Sequence, residues 1–94
     1  MILNSVYKIP NGKLLKIQID YNKKNNSISK LKITGDFFAY PEEAIEFIED
    51  KLQNIELNEK ILFNKIDTII KEKKFQFIGI DSLGLTKGIM MCLE

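Results

Sequence analysis

Alternating hydrophobicity from Lys13 to Tyr21 constrains the fold of this chain more than any other feature of its sequence. Mostly polar side chains separate four apolar or aromatic ones, which are Leu15, Ile17, Ile19 and Tyr21. Because successive side chains of a β-strand point to opposite faces of a sheet, this pattern predicts a strand with one buried face. A single strand cannot bury that face alone, so other elements must cover it.

A second strand is predicted after the polar turn that runs from Asn22 to Asn26. It extends from Ser27 to Thr34, and its later apolar residues continue the alternation. Ile28 falls out of that alternation, which indicates either a β-bulge near Ser29 or packing of Ile28 under the turn. The two strands together predict an antiparallel hairpin.

A shorter strand is predicted upstream, from Val6 to Ile9, at the edge of the same sheet. It is followed by Asn11 and Gly12, and Asn-Gly is the strongest short signal for a hairpin because both residues tolerate positive φ. The sheet is therefore expected to contain two to three antiparallel strands joined by hairpins.

Helical signals dominate the second half of the chain. Pro41 is expected at the first position of a helix, with Glu42 and Glu43 in its positively polarised first turn. A second helix is predicted after Asn58, which is a favourable N-cap residue. Its buried stripe contains four aliphatic residues at helical spacing, and these are Leu62, Ile66, Ile69 and Ile70.

The last third of the chain gives a weaker pattern. The segment from Phe75 to Ile80 fits a short strand or a buried loop. Asp81 and Ser82 can cap a final helix that reaches Leu93, although glycines within it each cost about 1 kcal/mol relative to alanine. Strands followed by helices predict an α+β fold, in which about three helices pack on one face of an antiparallel sheet. At 94 residues, the range 1–94 is expected to be a single domain.

Composition excludes several classes of function. The 14 basic residues are all lysine, and 13 acidic residues bring the net charge to +1. Without arginine or an excess of positive charge, neither a nucleic-acid partner nor an anionic membrane is expected. Histidine is absent, which removes the commonest general base and metal ligand. Cys92 is the only cysteine, so no disulfide or cysteine-based metal site is expected, and a cytoplasmic location fits.

The junction between the predicted sheet and the first helix carries an unusual group of residues, from Gly35 to Phe38. One interpretation is structural: Gly35 takes a backbone conformation that other residues avoid, Asp36 accepts hydrogen bonds from local amides, and both aromatic rings fill the core. However, neighbours in an extended stretch point to opposite sides. We therefore expect one of Phe37 and Phe38 in the core and the other on an interaction surface.

The order of these motifs resembles the C-terminal accessory domain of lipoate–protein ligases. The resemblance lies in the stretch from Asn11 to Lys16, in Ile33 to Phe38 with its Gly-Asp-Phe-Phe run, and in Pro41 to Glu43. It covers roughly residues 5 to 57, and the remainder only as a helical pattern. In some organisms, mainly archaea, this domain is a separate small protein beside the catalytic subunit.

The resemblance implies a non-catalytic accessory subunit of a two-part ligase, with no activity expected alone. The catalytic ligase subunit would be the protein partner and would bind ATP, Mg²⁺ and lipoate, whereas this chain would hold no cofactor and no metal. It would help form lipoyl-adenylate for protein lipoylation. The residues expected to bind the partner or organise its active site are Lys13, Gly35, Asp36, Phe37 and Phe38.

Two other functions stay open on sequence grounds. The chain could be a stand-alone α+β protein–protein interaction module that binds another protein through the Phe37 and Phe38 surface. A sulfur-acceptor role through Cys92 is a third hypothesis, although buried filler is the expected role of that thiol. An independent nucleotide site is not expected, because Glu42 and Glu43 would face any phosphate at the start of the first helix.

Overall fold

A computed structural model describes residues 1–94 as two antiparallel sheets and three helices. In chain order the elements are β1 (Ile2–Lys8), β2 (Leu14–Asn22), β3 (Ser27–Gly35), β4 (Phe38–Tyr40), α1 (Ala44–Lys51), α2 (Glu59–Lys73), β5 (Gln76–Ile78) and α3 (Ser82–Met91). The larger sheet has the order β1-β2-β3, and the smaller one pairs β4 with β5. The α+β class predicted from the sequence is confirmed.

The face of the larger sheet that packs against the helices is the one that the alternation in β2 predicts. Leu15, Ile17 and Ile19 are buried on this face, and Ile17 lies between Ser5 of β1 and Ile33 of β3. The edge strand β1 is longer than the predicted segment from Val6 to Ile9. Its inward side chains are only half-buried and include a serine, so its alternation is weak in the sequence.

A β-bulge interrupts the pairing of β2 with β3 at Ser29. Asp20 pairs with Lys30 and Tyr21 pairs with Ile28, so Ser29 is the extra residue. Ile28 is fully buried, and its amide donates a hydrogen bond of 2.9 Å to the carbonyl oxygen of Ile55. The bulge is where the sequence places it, and Ile28 packs under the connection between α1 and α2.

Helix α3 crosses close to β1 and β2 because glycines face the sheet. A Cβ atom at Gly88 would lie 2.7 Å from Cδ1 of Ile17, and one at Gly84 would lie 2.7 Å from Cδ1 of Ile9. The hydroxyl of Ser5 also donates a 2.7 Å hydrogen bond to the carbonyl oxygen of Gly88. Close packing against the sheet therefore explains why this helix keeps glycines that lower its intrinsic propensity.

The predicted helix caps are found at α2 and α3. The side chain of Asn58 accepts a 3.1 Å hydrogen bond from the amide of Ile61, and that of Asp81 accepts a 2.7 Å bond from the amide of Gly84. Leu62, Ile66 and Ile69 of α2 are buried and Ile70 is half-buried, as predicted.

None of the three helices combines the length and the apolar character needed to cross a membrane.

The prediction for the start of α1 is wrong. The helix begins at Ala44, and residues 41–43 form a turn that leads from β4 into it. The Tyr40–Pro41 peptide bond is cis, and the carbonyl oxygen of Pro41 accepts a 3.0 Å hydrogen bond from the amide of Ala44. The helix starts later because β4 continues to Tyr40, and the chain must reverse direction before the helix can form.

The order of strands and helices also differs from the prediction. β5 lies between α2 and α3, where it pairs with β4 through the register Phe38–Ile78, Ala39–Phe77 and Tyr40–Gln76. From the sequence, residues 75–80 fit either a short strand or a buried loop, and the structure shows a three-residue strand there. Such a short strand has too few residues to show an alternating pattern.

Candidate functional site

Three chain segments that are distant in sequence meet at the start of β2. The amide of Lys13 donates a 2.9 Å hydrogen bond to the carbonyl oxygen of Gly79, just after β5. The amide of Asp36, just after β3, donates a 3.3 Å bond to the carbonyl oxygen of Leu14. The five residues singled out from the sequence therefore lie around one junction, where β2 begins and β3 and β5 end.

The turn that presents Lys13 differs from the predicted Asn-Gly hairpin. Lys8 pairs with Leu14, so five residues separate β1 from β2, and Asn11 has positive φ (59°) whereas Gly12 does not. The ammonium of Lys8 donates hydrogen bonds to the carbonyl oxygens of Ile9 (3.0 Å) and Gly12 (2.7 Å). Lys8 therefore stabilises this turn, a role that its position in the sequence did not indicate.

The close approach of this turn to the end of β5 requires glycines on both sides. A Cβ atom at Gly12 would lie 2.8 Å from the carbonyl oxygen of Gly79, and one at Gly79 would overlap the side chain of Lys13. The aliphatic part of Lys13 thus lies across Gly79. Its ammonium forms no hydrogen bond and no ion pair within the chain, and the residue is exposed. The packing against Gly79 thus positions the aliphatic part of the Lys13 side chain, whereas its ammonium group has no partner within the chain.

Gly35 has a structural role that the sequence predicts. Its φ is 157°, which side chains with a Cβ rarely adopt, and an added Cβ would overlap the carbonyl oxygen of Leu14. Its neighbour Asp36 is different. The carboxylate of Asp36 is exposed, and no amide donates to it and no lysine pairs with it. The interpretation in which Asp36 accepts bonds from local amides therefore has no support in the structure.

Phe37 and Phe38 point in opposite directions, as expected for neighbours in an extended chain. Phe37 is half-buried and packs against the core, whereas 61% of Phe38 is exposed. Tyr40 and Ile78 lie on the same outer face of the small sheet and are 52% and 56% exposed. Phe38 pairs directly with Ile78, so these three side chains form one exposed apolar strip, which we call the apolar ribbon.

Sequence reasoning missed two of the three residues of the apolar ribbon. Tyr40 was detectable, because it lies two residues after Phe38 and a strand puts such residues on one face. Ile78 gave no signal, since only the pairing of β4 with β5 brings it beside Phe38.

The opposite face of the small sheet is fixed by aromatic packing. Phe77 lies opposite Ala39 and contacts Phe75 edge-to-face with ring centres 6.4 Å apart, and Phe75 contacts Phe47 of α1 in the same way at 5.6 Å. These contacts link the small sheet to α1. The apolar ribbon is therefore displayed on a supported surface and not on a free loop.

Glu49 of α1 is a further residue whose environment the sequence did not indicate. One of its carboxylate oxygens accepts a 2.7 Å hydrogen bond from the amide of Ile33 in β3. Partial burial raises the pKa of Glu49. The hydrogen bond from Ile33 lowers it, whereas the negative charges of nearby Glu46 and Asp50 raise it further. No three acidic or cysteine side chains converge as metal ligands would.

The thiol of Cys92 is buried beneath the sheet, close to Ile17 and Gly88. Burial raises its pKa, so little of it is in the reactive thiolate form. These properties match the buried filler role expected from the sequence and give no support to a sulfur-acceptor site.

Comparison with known proteins agrees with the family resemblance. The family model described as the bacterial lipoate protein ligase C-terminus matches residues 8–86, which include the whole junction. The fold is similar to a chain from a structural analysis of an archaeal lipoylation system, a bi-partite lipoate protein ligase and its E2 lipoyl domain, from Thermoplasma acidophilum. The TM-score is 0.72 at 24% identity, over 95% of this chain and 94% of that chain. No curated protein sequence matches. The chain belongs to the family of lipoate protein ligase C-terminal domains.

Proposed function

We propose that this chain is the non-catalytic accessory subunit of a two-part lipoate–protein ligase. In this proposal a separate catalytic subunit binds ATP, Mg²⁺ and lipoate, and needs this chain to form lipoyl-adenylate before lipoate is transferred to a protein. Family membership over residues 8–86 supports the ligase part of the proposal. The fold shared with a chain from a bi-partite ligase structure supports the two-part arrangement.

Family membership carries the proposal, and the apolar ribbon indicates which surface would contact the partner. A domain of this size rarely exposes adjacent aromatic and aliphatic side chains unless they contact another molecule. Phe38, Tyr40 and Ile78 are each more than half exposed, although their strands are held by aromatic packing on the other face. Aromatic side chains that become buried at an interface commonly contribute most of its binding energy. We assign the ribbon as the main contact with the catalytic subunit.

Lys13 and Asp36 lie at the same junction as the ribbon, and their charged groups have no partner within the chain. When the ribbon binds the catalytic subunit, these two charges lie at or near the interface, where they can pair with charges of the partner. Removing water from such a site strengthens those pairs and protects an acyl-adenylate from hydrolysis. In this role the chain helps to assemble a closed site and leaves the chemical step to its partner.

Co-purification with a tagged catalytic subunit tests the interaction. The wild-type chain is expected to remain bound, whereas Phe38→Ala is expected to bind at least tenfold more weakly. Leu83→Ala is a matched control, because Leu83 is 50% exposed and lies outside the ribbon. Equal retention of all three chains would show that the ribbon is not the contact surface.

The second candidate is a stand-alone interaction module that uses the same ribbon for another protein. The exposed ribbon favours this function as much as the first, since hydrophobic exposure alone does not identify a partner. The two are separated by adding the chain to the catalytic subunit and measuring lipoyl-adenylate. An interaction module unrelated to the ligase would leave adenylate formation unchanged.

A further inference from the structure

Strand β1 forms one edge of the larger sheet, and its outer side is unpaired along its whole length. The strand pairs only with β2, and none of its main-chain groups forms a hydrogen bond with another element. Helix α3 lies under the sheet, where Gly88 packs against Ile17 of β2 and accepts the hydrogen bond from Ser5 of β1. The helix is therefore below the strand and not beside its edge.

The hydrogen-bond pattern identifies the main-chain groups that point outward from this edge. The amide of Tyr21 donates to the carbonyl oxygen of Met1 at 2.7 Å, and the amide of Ile9 donates to that of Lys13 at 3.1 Å. Bonded and non-bonded pairs alternate along an antiparallel ladder, so the odd-numbered residues of β1 bond to β2. The even-numbered residues direct their amides and carbonyl oxygens away from β2, and these residues are Ile2, Asn4, Val6 and Lys8. All four are exposed.

β1 carries none of the features that usually protect an exposed edge. Protected edge strands are short, bent by a bulge, interrupted by proline or marked with charged side chains. The register of β1 with β2 is regular over seven residues, and the strand has no proline and no charge before Lys8. The ammonium of Lys8 is held in the following turn, where it donates to the carbonyl oxygens of Ile9 and Gly12. An edge of this kind is a template for a further strand.

The side chains on the outer face of β1 fit a second copy of the same strand. Ile2 and Val6 are 56% and 60% exposed, and Asn4 lies between them on that face. In an antiparallel pair centred on Asn4, Ile2 of each copy lies opposite Val6 of the other copy. Asn4 then lies opposite its own counterpart, and no charged side chain faces a like charge. Opposed aliphatic side chains of this kind stabilise a pair of strands.

We propose that this chain forms a homodimer in which the β1 strands of two copies pair about a twofold axis at Asn4. The outward amides and carbonyl oxygens of Ile2, Asn4 and Val6 form the bonds between the copies, which joins the two sheets into one. Because the same surface is used on both copies, the assembly closes at two chains. A pairing from Ile2 to Val6 buries less area than most stable interfaces, so the dimer is weak and depends on protein concentration.

The second copy is favoured over a different protein by the composition of the edge. Ile2, Asn4 and Val6 carry no charge that would select a charged segment, whereas the same three residues in reverse order complement them. None of these residues belongs to the apolar ribbon or to the junction around Lys13. The dimer therefore goes beyond the ligase role and does not depend on it.

Sedimentation velocity of the full chain at increasing protein concentration tests for the dimer, and amide hydrogen exchange measured by NMR identifies its surface. No residues are added before Met1, because a tag would lie beside the edge. The amides of Ile2, Asn4 and Val6 are expected to exchange several-fold more slowly in concentrated protein. Those of Leu3 and Ser5 already bond to β2 and should change little. A monomer at all concentrations up to about 1 mM, or protection confined to the apolar ribbon, would overturn the proposal.

A pair of charge-matched variants tests the side chains of the edge. Val6→Lys adds the type of charge that protects natural edge strands and is expected to raise the dissociation constant of the dimer at least tenfold. Thr34→Lys adds the same charge at an exposed position of β3, on the other side of β2. It is expected to dimerise as wild type does. Equal weakening by both substitutions would show that only net charge matters, which contradicts pairing through β1.

A second pair of variants tests the main-chain bonds. The amide of Asn4 points away from β2, so Asn4→Pro leaves the ladder between β1 and β2 intact and removes both central bonds between the copies. Asn4→Ala loses the side chain but keeps the amide. Asn4→Pro is expected to stay monomeric at concentrations at which Asn4→Ala dimerises, with the same circular dichroism spectrum. Equal dimerisation of the two folded variants would rule out strand pairing.

Discussion

Gly35 and Asp36 are neighbours, but different forces determine their identities. The backbone requires glycine at position 35, because its φ of 157° and the nearby carbonyl of Leu14 leave no place for a Cβ. Nothing within the chain requires an aspartate at position 36, since its carboxylate is exposed and makes no hydrogen bond or ion pair. A side chain with no role in the fold is the better candidate for a role in binding.

Asp36→Ala is therefore expected to separate stability from function. The free energy of unfolding should change by less than about 0.5 kcal/mol, as is usual for exposed positions without local partners. Formation of lipoyl-adenylate by the two-subunit complex should fall clearly. Thermal unfolding of the isolated variant and an adenylate assay of its complex measure the two effects. A parallel loss of stability and activity would assign Asp36 to the turn.

Glu49 gives a prediction about pH. Its pKa is raised in the folded chain, mainly by partial burial, so its ionised form is less favourable there than in the unfolded chain. Glu49 therefore adds to the stability of the folded state when the pH is below its pKa in the unfolded chain, about 4.5. This contribution is lost as the pH rises through the pKa of Glu49 in the folded chain. Glu49→Gln keeps an oxygen for the amide of Ile33 but removes the charge.

The free energy of unfolding of Glu49→Gln, relative to that of wild type, should be higher at pH 7 than at pH 4. Chemical denaturation of both proteins across this range gives the difference directly. Glu72 on α2 is exposed and forms no ion pair within the chain, so Glu72→Gln removes the same charge and serves as a control for general charge effects. A stability difference between Glu49→Gln and wild type that does not change with pH would contradict the assigned environment of Glu49.

At the scale of secondary structure, the small sheet is the element that sequence reasoning could describe least. The hairpin of β2 and β3, its bulge at Ser29 and the cap residues of α2 and α3 follow from local patterns, which alternation and capping make visible. β5 has only three residues, and both α1 and α2 separate it in the sequence from its partner β4. A contact between such distant segments leaves no periodic signal in either one, so the apolar ribbon was only partly foreseen.

Single substitutions of the neighbouring Phe37 and Phe38 should have different effects, because Phe37 packs against the core and Phe38 of β4 is exposed. Phe37→Ala removes a half-buried ring that packs on the core and should lower the free energy of unfolding by about 3 kcal/mol, the low end for buried phenylalanine. Phe38→Ala should leave stability nearly unchanged and weaken binding to the catalytic subunit by about 2 kcal/mol. Melting temperature and partner affinity of both variants check this. If both variants lose only stability, the ribbon is not an interface.

Across the whole molecule, most buried apolar side chains belong to one core, and the apolar ribbon lies outside it. The core is formed by the sheet and three helices, the one cysteine is buried, and no acidic cluster converges on a metal position. Composition could not show which apolar side chains are exposed side by side, since the apolar ribbon arises from the pairing of β4 with β5.

The isolated chain is expected to bind no ATP at micromolar concentration. It has no glycine-rich phosphate loop, and Glu42 and Glu43 immediately precede the amino end of α1, where a phosphate would otherwise be attracted. Isothermal titration calorimetry with ATP and Mg²⁺ should show no saturable heat. A dissociation constant in the micromolar range would contradict the division of roles between this chain and its partner.

The most direct test of the proposed accessory role is lipoyl-adenylate formation by the purified catalytic subunit, with ATP, Mg²⁺ and lipoate, in the presence and absence of this chain. The account predicts little adenylate from the catalytic subunit alone and strong stimulation by the wild-type chain. Leu83→Ala should stimulate as well as wild type, and Phe38→Ala should require a much higher concentration for the same effect. Full adenylate formation without the chain, or no stimulation by it, would contradict the proposed function.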